Sequence, residues 1–253
     1  MQNISLHLQK FDERISTLFV GFPDAGLVGL IASGQIVHDQ ALKPIGWIDL
    51  GDYMPPTAVV HSGLPFSPVQ LYAGNGIAVV TAEVPIPPEA SKAVGEAIFG
   101  LAKKISAKEL VTMGGLASDD RYEEETQAMV YFVSSDPDSV KKLADEGLFP
   151  LEGGLLLGTY AHLIMSGIKE NINVRSFYAN AYPRMPDPGA AAALLLVISK
   201  LYSLKIDTDN LIKQSEEIRL KTKQLMQQVA STGKAGGSFM YTRGDNDELS
   251  QAV

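Results

Sequence analysis

The chain has 253 residues, a formal net charge of −8 at pH 7 and no cysteine. The lack of cysteine excludes disulfides, thiolate nucleophiles and cysteine metal sites. The acidic balance disfavours nucleic-acid and anionic-membrane partners, because both require a basic surface on the protein. With 45% hydrophobic and 20% charged residues, the composition is ordinary for a globular protein that buries a substantial core.

Neither a membrane span nor a targeting segment is predicted. The longest apolar run, Ala190–Ile198, is too short to cross a bilayer. The first residues lack a basic stretch followed by an apolar one, so we expect no signal peptide and a cytoplasmic protein.

Strands and helices alternate along residues 1–206, a pattern typical of an α/β layered sheet. Apolar runs predict the strands Ile4–Leu8 (an edge strand), Thr17–Phe22, Ile45–Leu50, Ala58–His61, Val69–Ala73, Ile77–Val84, Leu110–Met113, Ala128–Val133 and Val174–Ala181. Helices are predicted at residues 25–39, 88–105, 136–147, 155–168 and 188–204, and we expect the fourth to be buried. The turn Gly74–Asn75–Gly76 predicts a hairpin that leads into a central strand.

The stretch from Gly21 to Gly29 joins the second strand to the first helix. Pro23 ends the strand, and Asp24 can cap the helix by accepting hydrogen bonds from its free N–H groups. Gly26 and Gly29 share a face if both are helical, so that face has no side chains. Glycine inside a helix costs roughly 0.5–1 kcal/mol relative to alanine. We therefore expect this face to pack closely on the neighbouring strands.

The spacing of Gly21 and Gly26 also matches the beginning of a phosphate-binding loop between a strand and a helix. That motif continues with Lys and then Ser or Thr, whereas this chain has Leu27 and Val28. Asp24 also places a negative charge where a phosphate would lie, and a helix N-terminus favours a single anion. The sequence therefore predicts no nucleotide at this stretch, and no cofactor is predicted elsewhere.

Candidate catalytic residues are few. The histidines, His7, His38, His61 and His162, lie in separate elements without the i, i+4 spacing of a helical metal site, so no metal is predicted. Glu83 lies near the end of an apolar strand, where α/β folds place binding groups. A buried carboxylate there could transfer protons. The alternative is a strand-end residue that faces solvent or an arginine at an interface.

Two further features of the first 206 residues are interpreted as structural. Gly114–Gly115 is expected to close the strand Leu110–Met113. The acidic run at residues 119–125 lacks EF-hand spacing and the EF-hand glycine, so it is interpreted as a solvated loop.

The composition changes from Asp207 onward. Residues 207–230 predict a helix that Asp207 or Thr208 can cap. Its heptad seam comprises Leu211, Ile218 and Leu225, with Ser215, Thr222 and Val229 between them. This pattern predicts a helix hairpin or an oligomer contact. The tail at residues 231–253 is rich in glycine and then acidic, and we expect it to pack on its own or a neighbouring subunit.

A series of short motifs is spread over residues 17–206. They are Gly21–Phe22–Pro23, Gly26, Val28–Gly29, Pro55–Pro56, Thr112–Met113–Gly114–Gly115–Leu116, Gly158, Tyr182–Pro183 and Pro186–Asp187–Pro188–Gly189–Ala190–Ala191. In this order along one chain, the motifs resemble the proteasome assembly chaperone type 2 family, in its archaeal branch. Asp24 departs from the family pattern, in which a glycine is common at this position.

The resemblance implies a fold for residues 1–206 and a set of site residues. The implied fold is a three-layer α/β sandwich with a mixed, largely parallel central sheet, similar to the phosphorylase/hydrolase-like fold, followed by a C-terminal helical extension. Within it, we expect these residues to be structural or to line a pocket: Gly21, Pro23, Asp24, Gly26, Gly29, Glu83, Gly114, Gly115 and Asp187.

The resemblance also implies a non-enzymatic homo-oligomer that helps to assemble proteasome α subunits. Family members that dock on the proteasome can end in hydrophobic–tyrosine–any residue, whereas this sequence ends Gln251–Ala252–Val253. We therefore expect any engagement to use the folded body. The alternative is a nucleosidase- or phosphorylase-type enzyme with Glu83 as the acid, or a small-ligand-binding protein, on a related fold.

Overall fold

A mixed sheet of nine strands organises the part of the chain that the computed structural model describes, residues 4–10, 13–118, 121 and 128–215. The strands are β1 Ser5–Leu8, β2 Thr17–Gly21, β3 Lys43–Asp49, β4 Val59–His61, β5 Leu64–Phe66, β6 Val69–Gly74, β7 Ile77–Ala82, β8 Glu109–Ala117, β9 Val130–Ser134, β10 Phe149–Pro150 and β11 Asn173–Ala181. The helices are α1 Val28–Asp39, α2 Ser91–Lys104, α3 Pro137–Asp145, α4 Gly158–Glu170 and α5 Pro188–Tyr202, and residues 209–215 are also helical.

The strand order of the large sheet is β1-β3-β6-β7-β2-β8-β11-β9-β10, and β4 and β5 form a separate two-stranded ribbon. The four central strands, β7, β2, β8 and β11, run parallel to one another. Towards β1 the pairing is antiparallel throughout, and β11 pairs antiparallel with β9. The predicted hairpin joins β6 to β7, and the predicted mixed sheet with a parallel centre is confirmed.

Helices cover both faces of this sheet. All five residues of β2 are buried, as expected for a central strand with a helical layer on either side. Leu18 and Val20 belong to the apolar cluster that includes α2 and α4, whereas Phe19 belongs to the cluster that includes α1 and α5. The predicted three-layer α/β sandwich is therefore confirmed. Within the described ranges, no helix is long and apolar enough to cross a membrane.

The prediction that Gly26 lies on the face of the first helix is wrong. Residues Ala25–Leu27 form a single 3-10 turn, and the α-helix begins only at Val28. Gly26 has φ +65° and Leu27 has φ +53°, both in the left-handed region, which interrupts regular helix. Gly29 alone of the two glycines is part of α1.

Two other predictions about element boundaries are also wrong. Gly114 and Gly115 do not close a strand, because β8 continues through them to Ala117 in parallel register with β11. The fourth helix begins at Gly158 and is not buried all round, since Met165 on it is 52% exposed.

The predicted helix at residues 207–230 is described only in its first part. Leu211, the first residue of the predicted heptad seam, is buried against the cluster that includes α1 and α5. The later heptad positions and the tail at residues 231–253 lie outside the described residues, as does most of the acidic run at residues 119–125.

Candidate functional site

Eight of the nine predicted site residues meet where β2, β8 and β11 end, at the carboxyl edge of the parallel strands. We call this cluster the glycine junction: Gly21, Pro23, Asp24, Gly26, Gly29, Gly114, Gly115 and Asp187. Parallel α/β sheets place their binding groups at this edge, because the carboxyl ends of neighbouring strands open onto a shared crevice. Glu83 is the one predicted residue that lies apart.

The backbones of the glycine junction approach too closely for any side chain to fit between them. A Cβ on Gly115 would lie 2.0 Å from the carbonyl oxygen of Ala25. A Cβ on Gly29 would lie 2.5 Å from the carbonyl oxygens of both Met113 and Phe22. Contacts this short do not occur for a real Cβ, so the turn after β2 can seat against β8 only because these positions are glycine.

Gly26 joins this turn to the segment before α5. Its carbonyl oxygen accepts a hydrogen bond of 2.8 Å from the N–H of Asp187. A Cβ on Gly26 would lie 2.8 Å from the Cβ of Ala181, and its positive φ disfavours other residues independently. The residue is therefore fixed as glycine by both space and backbone conformation.

Asp24 fastens the turn to β8. Its Oδ1 accepts from the N–H of Gly29 at 3.2 Å, and its Oδ2 accepts from the N–H of Gly115 at 2.8 Å. Gly114 makes the space for this carboxyl group, since a Cβ there would lie 2.5 Å from Oδ2. Burial raises the pKa of Asp24 to about 7, although the backbone N–H groups act to lower it. Asp24 thus binds the first turn of α1, as predicted, although Leu27 occupies the N-cap position.

Tyr160 of α4 joins the same strands from the opposite helical layer. Its hydroxyl accepts from the N–H of Phe22 at 2.8 Å and donates to the carbonyl oxygen of Met113 at 2.8 Å. Its ring stacks on Phe22 with 5.9 Å between the ring centroids. Burial raises the pKa of Tyr160 well above its usual value, so the hydroxyl keeps its proton. No sequence signal marked this residue, which lies in an apolar run.

Asp187 forms a buried ion pair with Arg121. Its side chain is fully buried and accepts from Arg121 Nε at 2.9 Å and Nη2 at 3.3 Å. The same carboxylate caps α5 by accepting from the N–H of Ala190 at 2.9 Å. The guanidinium group also lies 5.3 Å from the centre of the Tyr182 ring. Arg121 lies within the acidic run, and its opposite charge there is the signal that could have identified it.

Glu83 lies outside the glycine junction, just after β7. Its Oε1 is 2.7 Å from Nε2 of His61, in the two-stranded ribbon, and both side chains are partly exposed. Elsewhere, His7 stacks on Trp47, while His38 and His162 lie on different helices. Among the described residues, no three His, Cys, Asp or Glu side chains come close enough to hold a metal ion.

A small pocket of about 190 Å³ opens beside the glycine junction, between the first turns of α2 and α4. Its lining comprises Phe22, Pro23, Asp24, Pro85, Ile86, Ser91, Leu157, Gly158, Thr159 and Tyr160. Thr159 is only 6% exposed, and its hydroxyl has no hydrogen-bond partner in the described part of the chain. A buried polar group left unpaired costs roughly 1–3 kcal/mol, and this hydroxyl oxygen is closed to solvent, so the pocket is lined by other atoms of Thr159.

Exposed apolar side chains lie on α4 and on the segment before it. Leu155 and Leu157 are 82% and 76% exposed, and Met165 and Ile168 are 52% and 55% exposed. Met165 and Ile168 are three residues apart and share a face of α4. We refer to these four residues as the α4 apolar surface. Apolar groups concentrated on an exposed surface are typical of protein contact sites.

The fold is that of a group of α/β proteins that includes archaeal homologues of a proteasome-assembly chaperone. Pyrococcus furiosus PbaA, described as such a homologue, matches with a TM-score of 0.79 and 22% identity, over 92% of this chain and 95% of its own. Pyrococcus furiosus PbaB, described as an archaeal proteasome activator, matches with a TM-score of 0.76 and 18% identity, over 91% of this chain and all of its own. At these identities the likeness is one of fold.

The family follows from the sequence comparison. The PAC2 family model matches residues 18–226, and the chain belongs to this family. A Methanocaldococcus jannaschii protein, described as uncharacterized, is 27% identical over 207 residues, which is 82% of this chain and 84% of the relative. The family resemblance inferred from the short motifs is therefore confirmed.

Proposed function

We propose that this protein is a homo-oligomeric assembly chaperone that binds proteasome α subunits through its folded body. Membership of the PAC2 family supports this proposal, as does the fold shared with PbaA and PbaB, whose descriptions name proteasome assembly and proteasome activation. The glycine junction is consistent with a non-enzymatic protein. The Asp24 carboxylate accepts from backbone N–H groups, and the Asp187 N–H donates to the Gly26 carbonyl oxygen, so these groups serve the fold.

The observation that carries the proposal is the α4 apolar surface. Four large apolar side chains, each more than half exposed, lie on one short segment of an acidic chain. Burying them against another protein gains roughly 25 cal/mol for each Å² of apolar surface removed from water. A chaperone needs such a surface, since it must cover the apolar faces of subunits that are not yet assembled.

The direct test is to mix the full chain with purified α subunits and, separately, with mature core particle from the same organism, and to follow complex formation by size-exclusion chromatography. We expect co-elution with free α subunits. The variant Met165→Asp should lose it, because a charge then lies in the apolar contact. Lys169→Gln is the matched control, since it changes the net charge equally at another exposed position of α4. Equal binding by both variants would remove the α4 apolar surface from the proposal.

The net charge and the oligomeric state give two further readouts. A chain of charge −8 is attracted to a basic partner face, so binding to α subunits should weaken as salt is added. Light scattering of the full chain should give a mass that is a multiple of 27.2 kDa. A monomeric mass at all concentrations would contradict the oligomeric part of the proposal.

A second candidate, a nucleosidase- or phosphorylase-type enzyme, has one observation in its favour. The contact of 2.7 Å between Glu83 and His61 couples a carboxylate to an imidazole close to the carboxyl edge of the sheet. Glu83 does not, however, line the pocket beside the glycine junction. Incubation with purine nucleosides, with and without phosphate, tests this candidate: base release that Glu83→Gln abolishes would favour the enzyme over the chaperone.

A further inference from the structure

We propose that a groove at the amino edge of the sheet, where the parallel strands begin, binds an acidic peptide, an extended segment of a partner protein with several Asp or Glu side chains in succession. We call it the basic groove and define it by Lys10, Arg14, Ile15, Lys104, Ile105 and Lys108. It lies at the edge opposite the glycine junction, because Lys108 immediately precedes β8. The inference goes beyond the proposed function, since the α4 apolar surface includes none of these residues.

The charge of the basic groove is opposite to that of the whole chain. Among the described residues that line it, four are cations and one, Glu13, carries a carboxylate. The whole chain, in contrast, has 21 Lys and Arg against 29 Asp and Glu. Glu13 is already engaged, because its Oε1 accepts a hydrogen bond of 2.7 Å from the N–H of Gly76. None of the four cations forms an ion pair with a described carboxylate, so their charges remain for a ligand.

Backbone hydrogen bonds fix the walls of the basic groove. The N–H of Ser16 donates to the carbonyl oxygen of Gly76 at 2.7 Å, and the carbonyl oxygen of Ser16 accepts from the N–H of Lys108 at 2.9 Å. After β1, the N–H of Gln9 donates to the carbonyl oxygen of Ile45 at 2.7 Å. The cations are therefore attached to a frame that is already ordered, which lowers the entropic cost of binding a ligand.

The size and lining of the basic groove suit a short peptide segment. Its volume is about 880 Å³, within the range of roughly 300–1,000 Å³ that is usual for ligand pockets. Ile15 and Ile105 are buried and add apolar atoms beside the cations, which the methylene groups of Glu side chains can contact. No aromatic side chain is present among the described lining residues, so a nucleobase would have no ring on which to stack.

The end of α2 favours a peptide over a phosphate compound. Lys104 is the last residue of α2, and its carbonyl oxygen accepts no hydrogen bond in the described part of the chain. A peptide can donate a backbone N–H to such an oxygen, whereas a phosphate group provides acceptor oxygens. The Lys104 side chain is not required at the negative end of the helix dipole, because Lys103 lies there and pairs with Glu170 at 2.6 Å.

The test is fluorescence anisotropy of a blocked peptide of alternating Asp and Glu residues, labelled with a neutral dye and titrated with the full chain at low salt. We expect saturable binding that weakens steadily as salt is added. The same peptide with Asn and Gln in place of the acids should not bind, and inorganic triphosphate should compete only weakly. Absence of saturation, or equal binding of the neutral peptide, would overturn the proposal. Tighter binding of triphosphate than of the peptide would assign the basic groove to phosphates and contradict it.

A pair of double variants locates the binding. Lys104→Gln combined with Lys108→Gln removes two exposed cations of the basic groove, and we expect the affinity for the acidic peptide to fall by about tenfold. Lys92→Gln combined with Lys169→Gln is the matched control, because it changes the net charge equally at exposed positions outside the groove. The control should keep its affinity within about twofold, and both double variants should keep their melting temperatures. Equal weakening in the two would show a general attraction to the chain and contradict the assignment.

Discussion

The glycine junction and the first turn of α4 lie side by side at the same edge of the sheet, yet they are built in opposite ways. In the junction, glycines let backbones touch, and the Asp24 and Asp187 carboxylates accept hydrogen bonds from neighbouring N–H groups. Just before α4, Leu155 and Leu157 are exposed, and the Thr159 hydroxyl has no partner among the residues that the structure describes. The motif residues of the junction thus hold backbones together, while exposed apolar side chains lie next to them.

The largest effect is expected from Asp187→Ala in the junction. The change removes the Asp187 carboxylate from the buried Arg121 guanidinium and removes the cap of α5. Breaking a buried ion pair from one side costs about 3–5 kcal/mol, which should appear as a lower free energy of unfolding in urea. Asp136→Ala is the control, because Asp136 caps α3 by accepting from the N–H of Ser139 and belongs to no ion pair in the described structure. Equal losses in the two variants would show that the cap alone matters.

The next effect is the pH dependence that Asp24 imposes. Its pKa of about 7 in the folded protein lies above the ordinary 3.8, so the folded state holds this proton more tightly than the unfolded state. Stability should therefore fall as the pH rises from 3.8 to about 7, by at most about 4 kcal/mol. The Asp24→Asn variant cannot titrate at this position. The free energy of unfolding in urea of the natural protein, minus that of the variant, should therefore fall over this pH range. A difference independent of pH would contradict the assignment.

A smaller loss is expected from Gly29→Ala. The new Cβ would press on two carbonyl oxygens, and overpacking of this kind typically costs about 1–3 kcal/mol. Gly34 supplies the control on the same helix, because a Cβ there meets nothing within 4 Å. Gly34→Ala should stabilise the protein by about 0.5–1 kcal/mol, since alanine favours helix. Thermal melts that moved in the same direction for both variants would show that the contacts around Gly29 relax freely.

The smallest effect on stability is expected from a substitution on α4. Met165→Asp changes an exposed residue of α4, and substitutions at such positions usually alter stability by no more than about 0.5 kcal/mol. The melting temperature should therefore be preserved even though the proposed binding to α subunits is expected to be lost. A large drop in the melting temperature would mean that the α4 apolar surface serves the fold and is not free for a partner.

Much of the architecture could be predicted from the sequence, because apolar periodicity reports the burial of each local element. Nine of the eleven strands, the hairpin at Gly74–Asn75–Gly76 and the α/β class followed from such patterns, whereas the short strands Leu64–Phe66 and Phe149–Pro150 did not. Gly26 was misplaced because spacing alone cannot show a left-handed residue between a strand and a helix. The eight residues of the glycine junction nevertheless all lie within the stretches that the family motifs single out.

The groups missing from the prediction are those whose role depends on distant packing. Tyr160 hydrogen-bonds Phe22, 138 positions earlier in the chain, and only the assembled sheet brings the two together. Arg121 reaches Asp187 across 66 positions. The unpaired hydroxyl of Thr159 was equally hidden, because a single threonine in an apolar run has no local pattern that distinguishes it. Local sequence patterns therefore reveal elements and turns, whereas side chains that join layers require the tertiary structure.

The two borders of the described sheet limit how copies of this chain can join. At one border β1 has four residues, and at the other β10 has two, one of which, Pro150, has no N–H to donate. Edges this short offer few free backbone groups to a strand from another molecule. Extension of this sheet from one copy to the next through these borders is therefore disfavoured. At these two borders, a contact between copies would have to rest on side chains rather than on backbone hydrogen bonds.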